Sequence, residues 1–156
     1  MTQDDILHRA LRRAYVLLNV RPRSEKELRD RLKQKGYGDS VVTQVLDDLK
    51  RVGAVDDAKF AKFWIESRMH LNPVGAVVLR HELASKGIVE SVVEDALVSS
   101  GCSAESEYEI ARTMAVGRIE RLRRIDKRKA AKRLFDFLAR RGFDYGVIHK
   151  ILDELL

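Results

Sequence analysis

Apolar residues recur along this chain at steps of three and four, the spacing that gathers side chains on one face of a helix. Leu7, Leu11, Ala14 and Leu18 form one stripe, and Leu28 and Leu32 form a second ahead of Gly36. Val42, Val45, Leu46 and Leu49 form a third. No stretch alternates apolar and polar residues as a half-buried strand does. Only two prolines and nine glycines interrupt the 156 residues. The pattern predicts an all-α chain.

The stripes repeat. With Gly36, Gly87 and Gly142 as origins, seven other positions agree in three copies. Leu28, Leu79 and Leu134 lie eight residues before the glycine, and Leu32, Leu83 and Leu138 four before. Lys35, Lys86 and Arg141 directly precede it; Tyr37, Ile88 and Phe143 directly follow. Val41, Val92 and Val147, then Val42, Val93 and Ile148, come five and six after, and Leu46, Leu97 and Leu152 ten after. The glycines are 51 and 55 residues apart.

This module has a physical logic. Leucines four apart stack on one helix face. The glycine ends that helix by taking a left-handed backbone, and the next apolar residue folds back on the last turn. A further helix then starts, with Asp39 or Ser40, Ser91 and Asp144 as expected N-caps. Ser24 to Glu27 and Ser91 to Glu94 have capping-box spacing. Asn72-Pro73 and Asp126 are expected to start the middle helices of the second and third copies. A first helix precedes each pair, at about residues 4–20, 57–70 and 105–123. Asp56 is expected to cap the second of these, with Phe60, Phe63, Trp64 and Met69 on its buried face. The expected architecture is three tandem three-helix repeats, nine helices in all, at residues 1–52, 53–100 and 104–156, stacked as an elongated, curved array. Gly101-Cys102-Ser103 marks the last boundary.

Composition narrows the class. At 45% hydrophobic residues the composition argues against disorder, and at 35% charged residues against a membrane protein. Cys102 is its one cysteine, which excludes an internal disulfide and a paired-thiolate metal site. The start, Met1-Thr2-Gln3-Asp4-Asp5, is polar and acidic, unlike a secretory signal. A cytoplasmic protein is expected.

The net charge of +6 is unevenly spread. Residues 82–109 hold seven acids against Lys86 alone. Residues 112–133 hold ten bases against Glu120 and Asp126. Within them, Arg118, Arg121, Arg123, Arg124, Lys127, Arg128, Lys129, Lys132 and Arg133 are the candidate binding residues for phosphate or an acidic protein. Arg121, Arg124, Arg128 and Lys132 have helix-compatible spacing. Arg9, Arg12, Arg13, Arg21 and Arg23 form a weaker, secondary cluster. The third helices carry Asp47 and Asp48, Glu94 and Asp95, and Asp153 and Glu154, which disfavours their entry into a DNA major groove for base reading.

No catalytic constellation stands out. His8, His70, His81 and His149 are dispersed, and His81-Glu82-Leu83-Ala84-Ser85 has serine where a helical zinc motif needs its second histidine. Asp56-Asp57 reads as a helix start. No phosphate loop or nucleophile elbow occurs. Neither enzymatic activity nor a cofactor is expected.

The residues resemble the bacterial RecX family. Leu28-x-x-x-Leu32-x-x-Lys35-Gly36-Tyr37 with Val41-Val42-x-x-Val45-Leu46-x-x-Leu49 carries the resemblance. So do Val55-Asp56-Asp57-Ala58-Lys59-Phe60-Ala61 with Trp64-Ile65 and Arg68, and Gly75 through Leu79-x-x-Glu82-Leu83-x-x-Lys86-Gly87-Ile88. The third copy, with Lys132-Arg133-Leu134 and Arg140-Arg141-Gly142-Phe143, is looser. The resemblance implies tandem three-helix repeats and a modulator, usually an inhibitor, of the RecA recombinase. Such a protein binds the RecA filament and the DNA within it, with weaker binding to free DNA; a monomer without membrane attachment is expected. The alternatives are a stand-alone, non-sequence-specific DNA-binding protein and a helical-repeat adaptor for another acidic protein.

Overall fold

The computed structural model describes residues 1–156 and contains nine α-helices and no strand. They are α1 (Gln3–Val20), α2 (Glu25–Gln34), α3 (Asp39–Arg51), α4 (Asp57–Leu71), α5 (Ala76–Ser85), α6 (Glu90–Ser99), α7 (Ala104–Leu122), α8 (Lys127–Arg140) and α9 (Tyr145–Leu155). Successive triplets form three units, each with its own core of ten buried residues. The two leucine positions of every middle helix are buried, as are Val42, Val93 and Ile148 on the third helices. First and third helices pack closely because the first presents alanine: Ala10 and Ala14, Ala61, then Ala111 and Ala115. Val55 still packs in the first core, so the chain leaves that unit only beyond it.

The middle helices end as their glycines dictate. Gly36, Gly87 and Gly142 have φ of 89°, 79° and 78°. The next residue donates its N–H to the carbonyl of the second leucine: Tyr37 to Leu32 at 3.3 Å, Ile88 to Leu83 at 3.1 Å and Phe143 to Leu138 at 3.3 Å. This is the six-to-one closure of a Schellman turn, made three times.

The turn also sets where the next helix begins. Its N-cap is the second residue after the glycine in every unit: Gly38, Val89 and Asp144. Only Asp144 supplies a side-chain cap. Asp39, Ser40 and Ser91 therefore lie inside their helices rather than capping them, and Ser91 forms no capping box. Backbone geometry outweighed side-chain preference here. The Ser24 capping box and the Asp56 and Asp126 caps form as expected.

In α4, Phe60, Ala61 and Ile65 are buried, whereas Phe63, Trp64 and Met69 are half-buried. Trp64 stays at the edge because its indole N–H needs a partner. It donates to Glu82 Oε2 at 2.8 Å, and Arg68 grips the same carboxylate.

The units meet end on through the middle helices. Ser24 Oγ, the N-cap of α2, donates to the carbonyl of Lys86, and the Gly75 N–H, the N-cap of α5, donates to that of Arg141. A carboxylate of the following unit accepts the first helical N–H: Asp57 from Glu25 at 2.9 Å and Glu107 from Ala76 at 3.1 Å. This junction explains why α5 starts at Gly75 and not at Asn72-Pro73. A Cβ at Gly75 would overlap the Gly142 carbonyl. The first and third units share no hydrogen bond or ion pair, so the units stand in a row. The exposed surface, 9839 Å², exceeds the roughly 8,000 Å² of a compact monomer of this mass, as an elongated array requires.

Candidate polyanion-binding surface

All nine bases singled out in the third unit are exposed. Arg118 and Arg121 lie in the last turns of α7; Arg123 and Arg124 belong to the connecting turn. Lys127, Arg128 and Lys129 form the first turn of α8, and Lys132 and Arg133 the second. Arg123 pairs with Glu120 at 2.8 Å, and the Arg118 guanidinium lies 4.1 Å from the Phe137 ring centroid. The other seven have no ion-pair partner. Arg128 and Lys132 share one face of α8, while Arg121 and Arg124 approach from the α7 side, since α7 ends at Leu122.

A register difference built this surface. The N-caps of α2 and α5 lie twelve residues before their glycines, but Asp126 lies sixteen before Gly142. The added turn is Lys127-Arg128-Lys129-Ala130; α7 is also longer than α4 and α6 shorter than α3, and the three differences, with the connecting turns, give the longer second glycine spacing. Bases in a first turn oppose the helix dipole, whose positive end is there. Asp126 alone answers them, accepting from Arg128 N at 3.0 Å and Lys129 N at 3.2 Å. This arrangement of charge is unfavourable to the helix start itself.

The secondary cluster divides. Arg9, Arg12 and Arg13 are exposed on α1 and line a shallow groove of about 360 Å³ with Val16, Leu17 and Tyr37. Arg21 instead holds Glu27 with two hydrogen bonds, at 2.9 and 3.1 Å. Burial alone would raise the Glu27 pKa; donors from Arg21, Lys86 and the Ser24 N–H overcome this and hold it at about 2. Arg23 is half-buried with an unpartnered Nε, and burial lowers its pKa. Arg21 and Arg23 thus belong to the joint between the first two units.

Charge is divided among the units as well. Residues 1–52 carry twelve bases against eight acids, residues 53–100 five against seven, and residues 104–156 thirteen against nine. Both ends of the array are positive and its middle is negative. Several of the middle acids are internal partners, as Glu82 is to Arg68 and Glu94 is to Arg80. Cys102 is half-buried beside Glu107, and burial, with that carboxylate, raises its pKa, which disfavours the thiolate form.

The junctions are the geometry that spacing alone did not reveal. Their sequence signal was present: a base before each glycine, and a small residue (Ser24, Gly75, Ala130) twelve before it.

Three family profiles match the chain: the RecX first three-helix domain at residues 10–49, the second at 56–97 and the third at 105–152. The regulatory protein RecX of Amycolatopsis mediterranei is 35% identical over 140 residues, covering 90% of this chain and 79% of that protein. That of Prosthecochloris aestuarii is 34% identical over 155 residues, covering 98% and 97%. Among solved structures, RecX from Lactobacillus salivarius superposes with a TM-score of 0.87 at 23% identity over 97% of both chains, a likeness of fold. A second structure, of regulatory protein RecX, gives 0.85 at 25% identity over 96% of this chain and 73% of that one.

Proposed function

This chain belongs to the RecX family, and on that premise we propose that it binds the RecA–DNA nucleoprotein filament and inhibits its recombinase, ATPase and co-protease activities, so regulating DNA repair and recombination. It acts as a cytoplasmic monomer and performs no chemistry. A row of three units can touch neighbouring protomers, and it favours one filament state by binding that state more tightly. The basic turn between α7 and α8 faces DNA phosphate in the filament.

The observation that carries this reading is that turn. Seven exposed bases there have no internal ion-pair partner, and three of them sit against the helix dipole. Phosphate contact would compensate both.

The test is the single-stranded-DNA-dependent ATPase of RecA, with this protein titrated in at two salt concentrations. Inhibition that weakens at higher salt supports the reading. Indifference of the ATPase overturns it. Equal affinity for naked DNA and for filament would favour the stand-alone DNA-binding alternative, and salt-sensitive capture of an acidic protein without DNA the adaptor.

A further inference from the structure

The third unit departs from the other two beside its basic turn, and the repeat itself shows where. Seven residues before the glycine stand Arg29, Arg80 and Phe135; three after it stand Asp39, Glu90 and Tyr145; seven after it stand Thr43, Glu94 and His149. The first two units place only polar or charged residues at these positions. In the second unit, Arg80 pairs with Glu94 at 2.6 Å. In the third, aromatic rings fill all three positions. The Phe135 ring centroid lies 5.6 Å from that of Tyr145 and 5.6 Å from that of His149.

The core does not account for these rings. Phe135 is half-buried against it, but Tyr145 is 64% exposed, more than any other tyrosine, phenylalanine or tryptophan, and His149 is exposed too. Apolar ring faces are thus left in water, where they are least favoured. Free positive charge lies on the same side. Arg128 and Lys132 stand seven and three residues before Phe135, which sets all three on one face of α8. Both bases are exposed and free of ion pairs. Asp136 and Asp153 are the exposed acids next to the rings along α8 and α9, and neither pairs with Arg128 or Lys132. Lys150 is engaged elsewhere, 4.2 Å from the Tyr108 ring centroid.

We propose that Phe135, Tyr145 and His149 form a platform on which an unpaired base of single-stranded DNA stacks, while Arg128 and Lys132 hold the adjoining phosphates. Every base has a π face, and aromatic rings beside positive charge hold single strands without reading their sequence. A duplex keeps its base faces covered, so it meets only the charge. The platform is invisible in the basic run of the sequence, because Tyr145 and His149 come from the next helix. The inference rests on the DNA contact proposed above and names the form of DNA that this surface takes.

The test measures fluorescence anisotropy of the full chain, without RecA, on labelled oligothymidylate, on an abasic oligomer of the same length and on duplex DNA, over a range of salt. Tyr145→Ala is expected to weaken oligothymidylate binding about fivefold or more and to leave its salt slope unchanged. The same variant should keep the abasic and duplex affinities within about twofold. Tyr145→Phe retains the ring and should bind as the parent does. Arg128→Gln with Lys132→Gln should instead flatten the single-strand salt slope, by about 1.4 for two phosphates. His149→Ala, another exposed site, remains decisive if Tyr145→Ala fails to fold. A parent that binds the abasic oligomer as tightly as oligothymidylate overturns the platform, as does a Tyr145→Ala chain with parental affinity or with equal losses on all three DNAs. Weaker binding to RecA filaments with unchanged oligomer affinity would make Tyr145 a protein contact and overturn it too. RecA inhibition without stacking leaves the filament reading standing; stacking without RecA inhibition keeps the platform and removes the filament reading.

Discussion

Ser24 Oγ donates a 2.8 Å hydrogen bond to the carbonyl of Lys86, 62 positions along the chain. Ser24 is the only buried polar residue. The same oxygen accepts from the Glu27 N–H at 3.2 Å, so one hydroxyl caps α2 and joins two units. Ser24→Ala should lower stability by about 1–2 kcal/mol, through the lost cap and the unsatisfied carbonyl. Ser103→Ala, which removes an exposed cap without such a joint, should cost about half as much. Urea unfolding of the two variants measures the difference, and amide exchange at Gly87 should rise only in the first.

Gly75→Ala isolates the second joint. Gly75 has φ of −75°, which alanine adopts without strain. The added methyl would nevertheless overlap the Gly142 carbonyl, which is backbone and cannot swing aside. Gly38→Ala, also an N-cap, with φ of −71° and open space around it, is the control. Gly75→Ala should part the second and third units, giving a larger radius of gyration by small-angle scattering and faster proteolysis near Cys102. Gly38→Ala should leave both unchanged.

These joints mark the boundary of what the sequence disclosed. Leu28, Leu79 and Leu134 were legible as core because burial of a helix face follows from local spacing. The left-handed glycines were legible for the same reason. Ser24 bonding Lys86, and Gly75 bonding Arg141, were not, because each joins segments more than sixty residues apart. Ser91 misled because the turn at Gly87 fixes the helix start by backbone geometry alone. Within the basic clusters, sign and number were legible, but engagement was not. Arg21 and Arg13 look alike until Glu27 is found to hold one and not the other. The added turn at Lys127–Ala130 was not legible from spacing, because the interval between glycines also absorbs a longer α7 and a shorter α6.

Cores that are separate predict damage that stays local. Leu83 is fully buried in the second core and touches neither of the others. Leu83→Ala should cost about 2–5 kcal/mol of that unit's stability. In a row of units joined by few bonds, the loss should loosen α4, α5 and α6 first. Native-state hydrogen exchange should show protection falling there while α8 and α9 keep theirs.

Acid should weaken the first joint through Glu27. Its folded pKa of about 2 lies below its ordinary value of 4.5. The ionised form is therefore bound more favourably in the folded state. That contribution is complete above about pH 4.5 and is lost as pH falls toward 2. Asp57, raised mainly by burial, acts in the opposite sense and offsets part of the loss. Glu27→Gln should be less stable than the parent at pH 7, and the gap should narrow between pH 4.5 and 2. A gap constant with pH would show that Glu27 contributes packing rather than charge.

The basic turn should show stability and function in opposition. Lys127 and Lys129 sit in the first turn of α8, where an acid would be favoured. Lys127→Glu with Lys129→Glu should therefore raise the melting temperature, as the dipole rule worth about 0.3–1 kcal/mol per exposed group requires. The same pair should weaken RecA ATPase inhibition. Replacing Arg121, Arg124, Arg128 and Lys132 with glutamine removes charge without adding an acid. If all four contact phosphate, the log–log salt slope should flatten by up to about 3. A variant that gains stability and inhibits as well as the parent would show that these bases serve neither fold nor filament, and the polyanion would then have to meet Arg9, Arg12 and Arg13.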